Sequence, residues 1–111
     1  MIPKKAFIAR IVDGQIKNKA LVPSDIDFAL GRSSKSCSYV IAKDTNISRV
    51  HCILRFDSAS GLFLLTDKST NGVYLEDNSR IVKGVPYTLY PDTVFYISNP
   101  DYKMTVLTAE A

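Results

Sequence analysis

Turn signals cut this chain roughly every 8–15 residues, and no segment of ten or more residues keeps a helical apolar period between caps. Asp13-Gly14, Pro23-Ser24-Asp25, Ser58 to Gly61, Asp77-Asn78-Ser79, Lys83-Gly84, Tyr90-Pro91-Asp92 and Ser98 to Asp101 are such stops. What lies between them is short and apolar. Cys52, Leu54 and Phe56 alternate with Ile53 and Arg55, the period of a half-buried strand. Val, Ile and Thr supply 26 of the 111 residues, and their branched Cβ atoms favour strands over helices. The pattern predicts an all-β chain, a sandwich or a barrel. Strands are expected over 6–12, near 20–22, and over 26–30, 39–42, 52–56, 62–66, 73–76, 93–98 and 103–108.

One domain accounts for a chain of this length, and an apolar share of 46% lets it bury a core. No repeat, low-complexity tract or linker interrupts it, so it has the form of one domain cut from a longer protein. The net charge of +3 is far from the dense basic stripe of a nucleic-acid binder. Cys37 and Cys52 lack metal spacing and form no disulfide framework. Both are expected to be small buried residues in a reducing compartment. Arg10 breaks the first apolar run, so neither a signal peptide nor a spanning helix fits. A soluble intracellular protein is expected, with no membrane partner.

Three short motifs carry chemistry. Arg32, after Gly31, offers a permanently charged fork that matches phosphate oxygens, and Gly31 lets the backbone turn before it. Ser48 can donate its hydroxyl to an anion, and Arg49 can add charge at the rim. His51, the only histidine, stands at the start of a strand, where a hydrogen-bonded structural residue is the commoner role than a ligand or base. Asn71-Gly72 supports a tight turn with positive φ, and by itself it could be a plain hairpin.

In order and spacing these pieces, Gly31-Arg32, then Ser48-Arg49-Val50-His51, then Asn71-Gly72, resemble the forkhead-associated (FHA) domain, a phosphothreonine-binding module. The resemblance covers about residues 6–107 and implies one FHA-like domain over 1–111. It selects the sandwich: two twisted, mainly antiparallel sheets of about ten or eleven short strands, with the binding loops at one end. It implies that Arg32, Ser48, Arg49 and Thr70 bind phosphate and that Asn71 bonds the peptide backbone. Asn46 and Ser33 would read neighbouring peptide residues, and Gly31, His51 and Gly72 would support the site. Neither metal nor cofactor is implied. The expected partner is a phosphothreonine-containing protein or peptide, met by a monomeric domain. The expected setting is phosphorylation-dependent signalling in the cell cycle or DNA damage response, nuclear rather than cytoplasmic. Where the family often has Gly-Asp in its penultimate turn, this chain has Pro91-Asp92.

Three rival readings compete. Ser48, His51 and Asp44 or Asp67 could be written as a catalytic triad, but no G-x-S-x-G elbow accompanies them, and an enzyme is not expected. A nucleic-acid-binding barrel would need a basic strand interleaved with aromatics, which is lacking. An FHA-like domain could instead bind a folded, unphosphorylated partner through a sheet face.

Overall fold

The computed structural model describes residues 4–111. Ten strands follow one another: β1 (Lys4–Val12), β2 (Gln15–Val22), β3 (Phe28–Gly31), β4 (Tyr39–Val40), β5 (Cys52–Asp57), β6 (Leu62–Asp67), β7 (Val73–Leu75), β8 (Tyr87–Leu89), β9 (Val94–Ile97) and β10 (Lys103–Glu110). They form two five-stranded sheets, ordered β2-β1-β10-β9-β7 and β4-β3-β5-β6-β8. Of the strand pairs, only β3 with β4 is parallel. Among the described residues there is no helix, and the fold is the β-sandwich.

Alternation builds the core. On β5, Cys52, Leu54 and Phe56 point inward; on β6, Phe63 and Leu65 do. The other sheet answers with Ala6, Ile8, Phe95, Ile97, Met104 and Val106, and all of these join one buried cluster. Phe56 and Phe63 stand opposite each other in the β5–β6 register, with ring centroids 5.0 Å apart. Each large apolar side chain so buried stabilises the fold by about 1.5–3 kcal/mol.

The turns follow their chemistry. Asp13 and Gly14 both have positive φ, as a type I′ hairpin requires. At the penultimate turn the Thr93 N–H donates to the Tyr90 carbonyl at 3.1 Å, and Asp92 takes φ +73°. That is a type II turn with proline at its second position and Asp92 in the place glycine usually fills.

Two strands escape the sequence reading. β2 is longer than the expected 20–22, because Gln15 to Lys19 are exposed and show no alternation. Pairing with β1 makes it a strand, and a bulge with Asn18 at φ +54° interrupts the register. An edge strand bearing Lys17, Lys19 and a bulge resists pairing with other chains. β8 lies between Pro86 and Pro91, buries only Leu89, and is defined by its ladder to β6. β3 starts later than expected, leaving Ile26 outside and exposed.

Topology decides where the loops go. β3 ends at Gly31, and antiparallel β5 begins beside it, with Leu30 paired to Cys52. Antiparallel β6 ends beside that start, with Cys52 paired to Asp67. The segments after β3, before β5 and after β6 therefore emerge at one end of the sandwich.

Candidate functional site

The loops at this end are tied by their backbones. Arg32 N–H reaches the carbonyls of Ser48 (3.0 Å) and Arg49 (3.1 Å), and Ser33 N–H reaches that of Arg49 (3.1 Å). The Cys37 thiol donates to the same Arg49 carbonyl at 2.9 Å. Gly31 has no room for a side chain: a Cβ there would lie 2.3 Å from the Arg49 carbonyl oxygen. Its φ lies outside the left-handed region. Close approach of two backbones, rather than the expected turn, is thus what demands glycine here.

His51 is fully buried behind the loops. Its Nε2 lies 2.7 Å from the Gly72 carbonyl, which can only accept, so Nε2 carries the hydrogen. Ser48 N–H donates to Nδ1 at 3.1 Å. One neutral ring therefore joins the loop of Ser48 to the loop of Gly72. Burial lowers its pKa from the usual 6.5, against the Gly72 carbonyl and Asp67, which favour the cation. The contact between Ser48 and His51 runs through the backbone N–H. The ring is not placed to take a proton from the Ser48 hydroxyl, which removes the geometry of a triad.

The loop after β6 has a second buried support that the sequence reading passed over. Asp67 is fully buried, and its Oδ1 accepts from Ser69 N–H (2.8 Å) and Ser69 Oγ–H (2.6 Å). Ser69 Oγ in turn accepts from Gly72 N–H at 2.7 Å. Arg80 pairs with Asp67 Oδ2 at 3.5 Å and donates to the Thr70 carbonyl at 3.4 Å. The signal available in the sequence was Asp67 two residues before Ser69, the spacing at which an Asp side chain bonds backbone ahead of it. Gly72 has φ +95°, and the loop crosses from one sheet to the other, so Asn71-Gly72 is no hairpin.

On this frame stand the remaining candidates. Arg32 is half-buried, and its Nε donates to the Ile47 carbonyl at 2.9 Å, leaving the two terminal nitrogens to act as a fork. The Ser48 hydroxyl accepts from Thr70 N–H at 3.3 Å, so its own hydrogen is available. Thr70 is exposed beside it. Asn71 donates through Nδ2 to the Asn46 carbonyl at 2.9 Å, which brings both exposed asparagines together. Arg32, Ser33 and Arg49 line an open basin of about 320 Å³ with Lys35 and Lys43. All the named candidates thus gather at one end of the molecule. Cys52 is buried, but Cys37 is only half-buried, contrary to expectation, because it lies in the polar loop between β3 and β4 rather than on a strand facing the core. Burial pushes both thiols up, so neither is a ready nucleophile. Among the described residues no group of His, Cys, Asp and Glu could hold a metal ion.

Solved structures share this architecture. The chain is 24% identical to the Mycobacterium tuberculosis Rv1747 FHA-1 domain, covering 97% of this chain and 99% of that one at a TM-score of 0.74. It is 23% identical to the MEK1 FHA domain in complex with a HOP1 phosphothreonine peptide, covering 96% and 97%, TM-score 0.74. It is 16% identical to the N-terminal FHA domain of S. cerevisiae Rad53p in complex with a phosphothreonine peptide, covering 96% and 94%, TM-score 0.73. No curated protein sequence matches the chain. At such identities the likeness shows the fold alone. The family model described as FHA domain matches residues 28–98, from the start of β3 through the turn after β9. With well over half its length matched, this chain belongs to the FHA domain family.

Proposed function

We propose that this domain binds phosphothreonine in a flexible segment of a partner protein and so recruits its parent protein in phosphorylation-dependent signalling. The observation that carries this reading is the meeting of Arg32, Ser48 and Thr70 at one end of the sandwich, with donors left over. The terminal nitrogens of Arg32 and the Ser48 hydroxyl hydrogen are uncommitted to other loops. A phosphate brings close to two negative charges and three acceptor oxygens, which suits such donors. Arg49 stands at the rim, Asn71 and Asn46 beside it, and His51, Gly31 and Gly72 underneath. FHA domains of similar fold have been solved with phosphothreonine peptides, which supports the same ligand here. The domain acts by binding, not by turnover. A nuclear place in the cell cycle or DNA damage response gains no support from the fold, which a bacterial domain shares.

Calorimetry with matched peptides tests the reading. A phosphothreonine peptide should bind at least about 30-fold more tightly than its unphosphorylated twin, equivalent to roughly 2 kcal/mol. Equal affinities would refute the proposal and favour a partner held on a sheet face.

A further inference from the structure

We infer that the outer face of the β2-β1-β10 part of the first sheet is a docking surface for an acidic amphipathic helix of a partner protein. The inference goes beyond phosphopeptide binding and does not depend on it. The solvated face of an antiparallel sheet is ordinarily polar. Here it is apolar at its centre. Ala6 and Ile8 of β1, Val22 of β2 and Val106 of β10 point into the core, so their neighbours Phe7, Leu21 and Leu107 point outward. The register sets these three side by side in one row, Leu21–Phe7–Leu107. Ile11, four positions on from Phe7 and so on the same face, pairs with Ile16. Leu21 and Ile16 are 55% and 47% exposed.

Charge identifies the occupant. β1, β2 and β10 carry six cations, Lys4, Lys5, Arg10, Lys17, Lys19 and Lys103, against one carboxylate, Glu110. The whole chain has a net charge of only +3, so the remainder of the molecule is net acidic. Lys5 and Lys103 alternate with the buried Ala6 and Met104 and so face outward, and the Lys19 Nζ lies 4.4 Å from the Phe7 ring centroid. No carboxylate occupies an outward position on these strands. Among the described residues the ion pairs are Arg55–Asp27 and Arg80–Asp67, so the three lysines have no acidic partner. A second copy of the chain fits badly, since a two-fold contact would set these lysines against themselves. An apolar strip edged by lysines is complementary to an apolar stripe edged by Asp and Glu.

The shape of the strip selects a helix. Three strands at about 4.8 Å spacing place the outer two about 10 Å apart, which matches a helix about 10–12 Å across with its side chains. From Lys5 to Ile11 the strip runs about 20 Å at about 3.3 Å per residue, a length that about 13 helical residues cover at about 1.5 Å each. An added strand is disfavoured at the same place. The bulge at Asn18 breaks the free edge of β2, and the Asn18 carbonyl already accepts from the Tyr39 hydroxyl at 2.8 Å. Apolar side chains at i, i+3, i+4 and i+7 of the helix would cover the Leu21–Phe7–Leu107 row and the Ile11–Ile16 pair. Acids flanking that stripe would meet Lys5, Lys19 and Lys103.

Fluorescence anisotropy with the whole chain tests this. The probe is a labelled helical peptide of about 14 residues with Leu at that spacing and Glu on both sides of the stripe, and its twin carries Lys in place of Glu. At about 0.15 M salt the acidic probe should bind at least about 10-fold more tightly than the twin, because three exposed pairs change from attraction to repulsion. Ile16→Thr/Leu21→Thr, at exposed strand positions, should weaken the acidic probe at least about 10-fold, and Lys19→Glu about threefold. Both variants should keep phosphothreonine-peptide affinity within about twofold of the parent. A chain that binds the acidic probe in this way but no phosphothreonine peptide supports the inference and refutes the phosphothreonine reading. Failure of the acidic probe to bind, equal binding of the twins, or binding that both variants leave intact overturns the inference. Parallel loss of both ligands in folded variants also overturns it, since the face would then be part of the phosphate end. Two other occupants overturn it as well: a dimer in sedimentation, or attachment to phosphatidylserine vesicles, that Ile16→Thr/Leu21→Thr abolishes.

Discussion

The two halves of the binding end are built in opposite ways. The loop after β6 spends its polar groups on itself. Asp67, Ser69, Arg80 and Tyr74 bond to one another or to the loop's own backbone, and the loop leaves the uncharged Thr70 side chain exposed at its tip. The loops on either side of β4 are held chiefly at the Arg49 and Ile47 carbonyls, the latter by the Arg32 Nε, and leave the terminal nitrogens of Arg32 and the heads of Lys35, Lys43 and Arg49 without an acidic partner among the described residues. The first half supplies shape, and the second supplies charge. Rigid shape costs no further ordering when a ligand arrives, whereas long free side chains lose rotamer freedom at that moment. His51 joins the halves, with one ring nitrogen bonded to each.

The largest effect should come from removing charge where it meets shape. Arg32→Ala should cost about 2–5 kcal/mol of phosphopeptide binding, because it takes one partner from a partly buried charged contact. It should also cost about 1 kcal/mol of stability through the lost bond to Ile47. Arg32→Lys should fail in binding as well, since an ammonium cannot make the fork. Paired calorimetry and urea unfolding separate the two losses. Normal affinity in a folded Arg32→Ala variant would move the site elsewhere.

Next comes the frame itself. Asp67→Ala should lower stability by about 3 kcal/mol, since it strands the Ser69 N–H and hydroxyl in a buried place. Lys43→Gln, on the charged half, should stay within about 0.5 kcal/mol of the parent. Equal melting of the two variants would erase the distinction between a shape half and a charge half.

His51 offers a pH test. Its folded pKa lies below 6.5, the value expected in the unfolded chain. As pH falls through that value the unfolded chain takes up a proton that the folded chain does not. Stability should therefore be level above about pH 6.5 and decline below it, until the folded ring also titrates. His51→Ala should lose about 1–3 kcal/mol at pH 7.5, along with affinity, and should lack this part of the acid slope. A variant that weakens binding with unchanged unfolding would make His51 a contact residue rather than the link.

The smallest effect is the most specific. If the Ser48 and Thr70-Asn71 backbones wall a small apolar notch, the threonine methyl should be worth about 1 kcal/mol, at least about fivefold over phosphoserine. Two peptides differing in that methyl decide it. Equal affinities would leave charge as the only selector, and the shaped half would then contribute nothing to recognition.

By itself the sequence determined the fold class, most strands and the short motifs, because these depend on local chemistry. Alternation places Leu54 and Phe56 inside, and Asp13-Gly14 can turn wherever it stands. It could not show β8 or the first part of β2, whose residues carry little apolar alternation and become strands only by pairing with β6 and β1. Nor could it show that Gly31 is needed for space, since the clashing atom belongs to Arg49, eighteen positions on. The role of Asp67 as a buried anchor depends on Arg80 and on burial, neither of which is adjacent in the chain. The gathering of Arg32, Ser48 and Thr70 was decided by tertiary structure alone. Antiparallel pairing of β3 with β5 and of β5 with β6 brings three chain-distant loops to one end, and hydrogen bonds through His51 and the Arg49 carbonyl hold them there.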